Sequence, residues 1–296
     1  MTATADVLRV PTAEEARLAT NRHYELPTAF FAAYLDQRLK YSSGLYQDPG
    51  ATLDQAQTAK LHFVAQRLGV SPGCRVLDIG CGWGSLVLFM AAEYGCRATG
   101  VTPSATQAAY IAERAEELGV ADRIHIECGS FTDIPLDGRY DGVTMLGSII
   151  HMPDRAIVLE KVRGLLCRSG VLYLSESCFR NWRAYAEFSA RPGTRHVTQG
   201  IFGFADMVPL SALVEAVESA GLSLTGLTDL TADYLRTTTE WEKRAVANRA
   251  SIEETAPGMF DPLIRYLQTA SAGWGYTTKH YGLTATRARF CPDRTS

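Results

Sequence analysis

Residues 75–84 read Arg-Val-Leu-Asp-Ile-Gly-Cys-Gly-Trp-Gly. Val76, Leu77 and Ile79 make a short apolar strand, and three glycines in five residues follow it. Glycine is needed where a backbone turns sharply and lies against a ligand. The spacing Gly80-x-Gly82-x-Gly84 lacks the third glycine of the dinucleotide pattern, and no lysine stands in the turn to cradle a triphosphate. Asp78, just ahead of the first glycine, suits a cationic or amino-acid-bearing ligand. The plainer reading is a tight strand-to-helix turn with no ligand.

Strands and helices alternate outward from this turn. Helix spacing runs over 85–94, 105–118 and 153–166. Apolar runs at 96–102, 123–128, 140–146 and 170–176 read as strands. Such alternation predicts a parallel sheet covered on both faces. Residues 177–208 break the pattern with an aromatic, arginine-rich, irregular stretch. Helical spacing returns at 210–220, 237–252 and 260–275, and the alternating run 279–287 reads as a closing strand. Residues 1–20 read as a flexible or weakly helical segment, and 21–296 as one domain. A cap drawn from about 21–45, 177–208 and 235–275 would enclose a pocket over the carboxyl edge of the sheet.

The chain has 296 residues, 29 Lys+Arg against 32 Asp+Glu, and 46% apolar residues. That balance argues against a nucleic-acid binder driven by bulk charge. No apolar run is long enough to span a bilayer, and the first 20 residues lack the apolar core of a secretion signal. Seven cysteines without C-x-x-C spacing and six scattered histidines give no disulfide framework and no metal motif. A reducing cytoplasm is the expected location.

Several stretches carry a family resemblance: His23-Tyr24, Tyr41-Ser42-Ser43, Thr52–Lys60, the glycine turn, Gly100–Gln107, and Ala232-Asp-Tyr234 followed by Thr-x-x-x-Trp. In this order, over residues ~21 to ~289, they resemble the cyclopropane fatty acid synthase and mycolic acid cyclopropane synthase family of class I S-adenosylmethionine (SAM) methyltransferases. The resemblance implies a Rossmann-like α/β fold, a seven-stranded mostly parallel sheet with a helical cap. It implies SAM as cofactor and S-adenosylhomocysteine as product. Tyr41, Ser42, Asp78, Gly80 and Gly82 would line the methionine end. Thr102 and Gln107 would hold the ribose, Ser130 and Phe131 would cap the adenine, and Leu146 would lie near the sulfonium. His151 would lie on the adenosyl side; read on its own, it is equally a satisfied core histidine.

One part of the family's pattern is altered. Cyclopropane synthases hold a bicarbonate that acts as base. The Cys, Glu and His of that site correspond to Ser43, Ile150 and Ser175, and its Tyr is kept as Tyr234. An aliphatic side chain cannot satisfy a buried anion. Glu176, at the carboxyl end of the fifth strand, is the candidate replacement base, with Tyr234 and His151 beside it as catalytic candidates. The other reading of Glu176 is a strand-end residue paired with Arg180. His23, Tyr24, Arg180, Trp182, Phe204 and Tyr234 are the candidate substrate contacts. Arg180, Arg183, Arg191 and Arg195 read either as a solvated loop or as a clamp for a phosphate or carboxylate.

A pocket joining aromatics, a carboxylate and arginines suits a prenyl diphosphate, and the altered anion site resembles the branch that C-methylates isoprenyl diphosphates. The expected activity is methyl transfer to an alkene carbon of a small lipophilic substrate, through a carbocation and proton loss. A Mg ion could accompany a diphosphate. Three alternatives stay open: N- or O-methylation, a SAM-binding cyclase that does not methylate, and cyclopropanation with a different base. A homo-oligomer is also left open.

Overall fold

The computed structural model describes residues 12–287, with the side chains of Ala13, Arg22 and His23 outside that description. The chain enters through α1 (Ala13–Tyr24), α2 (Thr28–Ala32) and α3 (Leu53–Leu68). Thr52 and Gln55 form a reciprocal capping box at the start of α3, and Gly69 ends it in the left-handed conformation. The alternating part follows: β1 (Arg75–Ile79), α4 (Ser85–Tyr94), β2 (Arg97–Thr102), α5 (Ala105–Glu117), β3 (Ile124–Cys128), β4 (Tyr140–Leu146), α6 (Arg155–Leu165) and β5 (Leu166–Phe179). After β5 come α7 (Trp182–Phe188), α8 (Pro192–Arg195) and a π-helical turn over His196–Ile201. The chain closes with α9 (Leu210–Ser219), β6 (Leu222–Asp229), α10 (Thr231–Ala247), α11 (Arg249–Thr255), α12 (Phe260–Gly273) and β7 (Thr278–Arg287).

The seven strands form one sheet in the order β3-β2-β1-β4-β5-β7-β6. The pairs β1–β2, β2–β3, β1–β4 and β4–β5 are parallel, and β7 runs antiparallel to both β5 and β6. The strand order reverses between β1 and β4, which opens a crevice at their carboxyl ends, where ligands of such sheets bind. This is the seven-stranded α/β architecture that the alternation and the resemblance together predict.

One core fills the space between β4, β5 and the α6–α9 side, around Leu77, Val143, Leu159 and Leu172. A separate core builds the cap. Phe30, Phe31, Tyr34, Trp241, Phe260 and Tyr266 are buried together there. Trp83, from the glycine turn, plants its ring in the same cluster, 5.2 Å from Phe31. Cap and sheet are therefore joined by an apolar contact at the ligand crevice itself, each such ring burying on the order of 150–250 Å².

Four segments differ from the sequence reading. Leu222–Asp229 is an edge strand that hydropathy did not single out, because Ser, Thr and Gly fill half of it; its burial nevertheless alternates along its length. Ala13–Tyr24 is a helix that takes in the last eight residues of the segment read as flexible or weakly helical. Residues 1–11 of that segment lie outside the described residues. The 177–208 insertion is largely helical, and the 237–252 helix is two helices that break at Asn248.

Candidate active site

The glycine turn holds Gly80, Gly82 and Gly84 at φ of 76°, 54° and 77°. A Cβ on Gly80 would collide with Ser148, whereas one on Gly82 would project into open space. Gly80 is thus needed for close packing, and Gly82 for the room it leaves. The cavity beside the turn measures about 160 Å³. All eleven residues expected to hold a cofactor line it. Thr102 Oγ1 donates to Gln107 Oε1 at 2.6 Å, which fixes both at the end of β2.

Asp78 sits opposite Thr144 in the β1–β4 register and accepts its hydroxyl proton at 2.7 Å. Burial pushes the Asp78 carboxyl up to about 7, against the pull of Thr144 and the Lys40 charge. A buried carboxylate at this point favours a cationic ligand group. Lys40, which sequence reading passed over, supports the floor of the same cavity. Its Nζ donates to Ser42 Oγ at 2.8 Å, Ser43 O at 2.7 Å and Gln57 Oε1 at 2.8 Å. Gln57 Nε2 in turn donates to Ser42 O at 2.9 Å. This buried network sets the path of Tyr41 and Ser42. From α1, Arg17 and Thr20 also reach the cavity.

A second cavity of about 360 Å³ adjoins the first, and Tyr24, Tyr41, Ser42, Gly147 and His151 line both. His151 Nδ1 lies 2.7 Å from the Phe204 carbonyl, which can only accept, so Nδ1 carries the hydrogen and Nε2 is left as an acceptor. Burial lowers the His151 pKa, against that hydrogen bond, and favours the neutral ring.

Glu176 lies in the second cavity and is 2% exposed. Its Oε1 accepts the Ser177 N–H at 2.8 Å, while Oε2 is buried without a hydrogen bond of good geometry. Burial lifts its carboxyl to about 7; the N–H groups of Ser177 and Ile150, the Arg155 charge and the Ile149 N–H pull the other way. Arg180 is exposed and turns to the Gly275 carbonyl. The two side chains form no ion pair.

Tyr234 stacks on Trp274 at 4.7 Å, and its ring lies 4.5 Å from that of His280. His280 and Lys60 were not singled out from sequence. The Ser175 hydroxyl meets His280 Nε2 at 2.8 Å and Lys60 Nζ at 3.3 Å. Burial, with the charges of Lys60 and Lys40, holds the His280 pKa well below that of an ordinary imidazole. Burial draws the Lys60 amine down to about 7.

Tyr24 and Tyr234 line the second cavity, but Arg180, Trp182 and Phe204 do not. Phe204 acts through its carbonyl, and Trp182 is exposed. The His23 side chain lies outside the described residues. Of the four arginines in the insertion, Arg191 alone lines the cavity. Among the described residues, no three His, Cys, Asp or Glu side chains gather to hold a metal ion, and no helix is long and apolar enough to cross a membrane.

The sequence matches the family model for mycolic acid cyclopropane synthetase over residues 12–278, and the chain belongs to that family. A probable fatty acid methyltransferase of Pseudomonas putida is 29% identical over 231 residues, which is 76% of this chain and 57% of that protein. The chain spans about half the length of the curated relatives it matches. Among solved structures, the cyclopropane synthase MmaA2 from Mycobacterium tuberculosis superposes with a TM-score of 0.84 at 22% identity, covering 95% of this chain and all of that one. The geranyl diphosphate C-methyltransferase from Streptomyces coelicolor A3(2), in complex with Mg2+, geranyl diphosphate and S-adenosyl-L-homocysteine, superposes with a TM-score of 0.67 at 18% identity, covering 94% of this chain and all of that one. These likenesses establish the class I SAM methyltransferase fold.

Proposed function

We propose that the protein transfers a methyl group from SAM to an alkene carbon of a small lipophilic substrate, with an isoprenyl diphosphate as first candidate. The observation that carries this reading is Glu176: a buried carboxylate whose Oε2 has no hydrogen bond of good geometry, in a cavity that shares a wall with the glycine-turn cavity. The first cavity suits SAM, because Gly82 leaves open space, Asp78 stands ready for a positive group, and Lys40 fixes the Tyr41–Ser42 segment.

SAM supplies an electrophilic methyl on a sulfonium. Tyr24, Tyr41 and His151, at the junction, hold the alkene against it and exclude water. The alkene π electrons form the new C–C bond as the C–S bond breaks, which leaves a carbocation on the substrate. Glu176 stabilises that charge through its carboxylate, and the rings of Tyr234 and Phe202 add their faces. Glu176 Oε2 then takes the adjacent C–H proton, and the C–H electrons restore an alkene. A carboxyl near 7 accepts a proton well at neutral pH. The family's bicarbonate base is not needed for this route. No step uses a metal ion.

The test is turnover with SAM and a panel of isopentenyl, dimethylallyl, geranyl and farnesyl diphosphates, read by mass. A product heavier by one methylene, formed in step with S-adenosylhomocysteine, supports the reading. Tight SAM binding with no diphosphate consumed removes the prenyl substrate and leaves the fold and family standing.

A second reading, N- or O-methylation, is favoured by one observation. His151 Nε2 is a free acceptor at the cavity junction, placed to take a proton from an amine or hydroxyl. A panel of amines and phenols separates the two.

A further inference from the structure

The loop between β3 and β4 builds one wall of the first cavity, where Gly129, Ser130, Phe131 and Thr132 line it. No strand holds these four residues in place. The Gly129 N–H donates to the Thr102 carbonyl at 2.9 Å, and the Asp133 and Ile134 N–H groups donate to the Ser130 carbonyl at 3.0 and 3.1 Å. Those bonds close a tight turn but use none of its next carbonyls. Lys161 collects them from α6. Its Nζ donates to the carbonyls of Phe131 at 2.6 Å, Thr132 at 3.2 Å and Ile134 at 2.5 Å. All three ammonium hydrogens therefore serve one turn, and the charge stands 4.8 Å from the centre of the Phe131 ring.

This clamp has a direction. In a trans peptide the C=O and the N–H that follows it point opposite ways. Holding the Phe131 carbonyl on Lys161 turns the Thr132 N–H away from the lysine. That N–H makes no hydrogen bond among the described residues. Beside it the Ser130 and Thr132 hydroxyls meet at 2.8 Å. The loop is thus sorted by polarity, with its carbonyls gathered on α6 and a backbone donor left over in a segment that lines the cavity. Such a donor accepts a ring nitrogen with a lone pair and repels one that carries a hydrogen. The support is rigid, because Val158, one turn before Lys161 on α6, is fully buried and lines the same cavity.

We propose that Lys161 is a positioning residue for the cofactor: by drawing the 131–134 carbonyls onto α6, it presents the Thr132 N–H to N1 of the SAM adenine and so selects adenine over a purine protonated at that nitrogen. This rests on the first cavity holding SAM with its adenine at this loop, and it is independent of the methyl acceptor.

Calorimetry of the full chain with S-adenosylhomocysteine and S-inosylhomocysteine tests it without turnover. The two ligands differ only in the purine, and N1 of hypoxanthine carries a hydrogen. The parent is expected to prefer S-adenosylhomocysteine by about tenfold or more. Lys161→Met is expected to bind S-adenosylhomocysteine about tenfold more weakly, and to prefer it by about threefold or less. Lys161→Gln keeps two donors and is expected to fall between; it decides the matter if thermal melts show that Lys161→Met does not fold. Unchanged affinity and preference in the variants overturn the proposal. So does an equal loss for both ligands, which a merely structural turn clamp would give, or a parent that does not discriminate. A parent that binds neither ligand overturns the SAM reading of the cavity, and this proposal with it.

Discussion

The Ser175 hydroxyl lies 2.8 Å from His280 Nε2, joining the carboxyl end of β5 to the antiparallel β7 beneath the second cavity. Lys60 Nζ reaches the same hydroxyl at 3.3 Å, its one side-chain hydrogen bond among the described residues. Lys40, by contrast, makes three, all of 2.8 Å or less. The two buried lysines therefore do different work. Replacing a poorly paired buried charge with an apolar side chain of similar size is often neutral or stabilising. Lys60→Met is expected to melt within a few degrees of the parent or above it. Lys40→Met takes the donor from Ser42 Oγ, the Ser43 carbonyl and Gln57 Oε1, so a loss of about 3 kcal/mol is expected, together with weaker SAM binding. Thermal melts and calorimetry with S-adenosylhomocysteine check the pair.

That relationship also marks where sequence reading stops. The glycine turn and the periodicity on both sides of it placed β1, α4 and β4 almost to the residue, because their signals are local. Glu176 was legible as a carboxylate at a strand end. That His280 faces Ser175 was not, because the β5–β7 register pairs residues about a hundred positions apart. Lys40 and Lys60 look like ordinary surface lysines until the cap closes over them. The insertion arginines looked like one cluster, but all four are exposed and Arg191 alone lines the second cavity. The edge strand β6 had an alternation to find in Leu222 and Leu224, diluted by Ser, Thr and Gly.

Gly82 tests the cofactor cavity. Its φ of 54° penalises any Cβ by about 1–2 kcal/mol, and that Cβ would project into the cavity. Gly82→Ala is expected to bind S-adenosylhomocysteine about tenfold more weakly or worse, with the chain still folded. Unchanged affinity by calorimetry would show that the ligand lies elsewhere.

His151→Asn separates the two proposed reactions. The amide keeps a donor for the Phe204 carbonyl and removes the Nε2 acceptor. If the substrate is an alkene, turnover stays within a few-fold of the parent. If His151 is the base for an amine or hydroxyl, turnover falls by about a hundredfold or more.

Glu176 links stability to function. Burial raises its carboxyl from 4.5 to about 7, so the folded chain binds that proton more tightly than the unfolded chain. The cost of ionising it in the fold therefore grows as pH rises from about 4.5 to 7 and is complete above 7, on the order of 3 kcal/mol. Glu176→Gln is expected to melt close to the parent at pH 5 and higher than the parent at pH 8. In the parent enzyme, turnover is expected to rise with pH through about 7 as the base ionises.

The most direct measurement is the single-turnover rate of the parent and of Glu176→Gln with SAM and whichever prenyl diphosphate the panel shows to react. Glu176 as proton acceptor predicts a loss of about a hundredfold or more in the variant, with SAM affinity preserved and the parent's rising pH limb near 7 abolished. A Glu176→Gln enzyme that forms the same methylated alkene at the parent's rate, with the same pH profile, would contradict it.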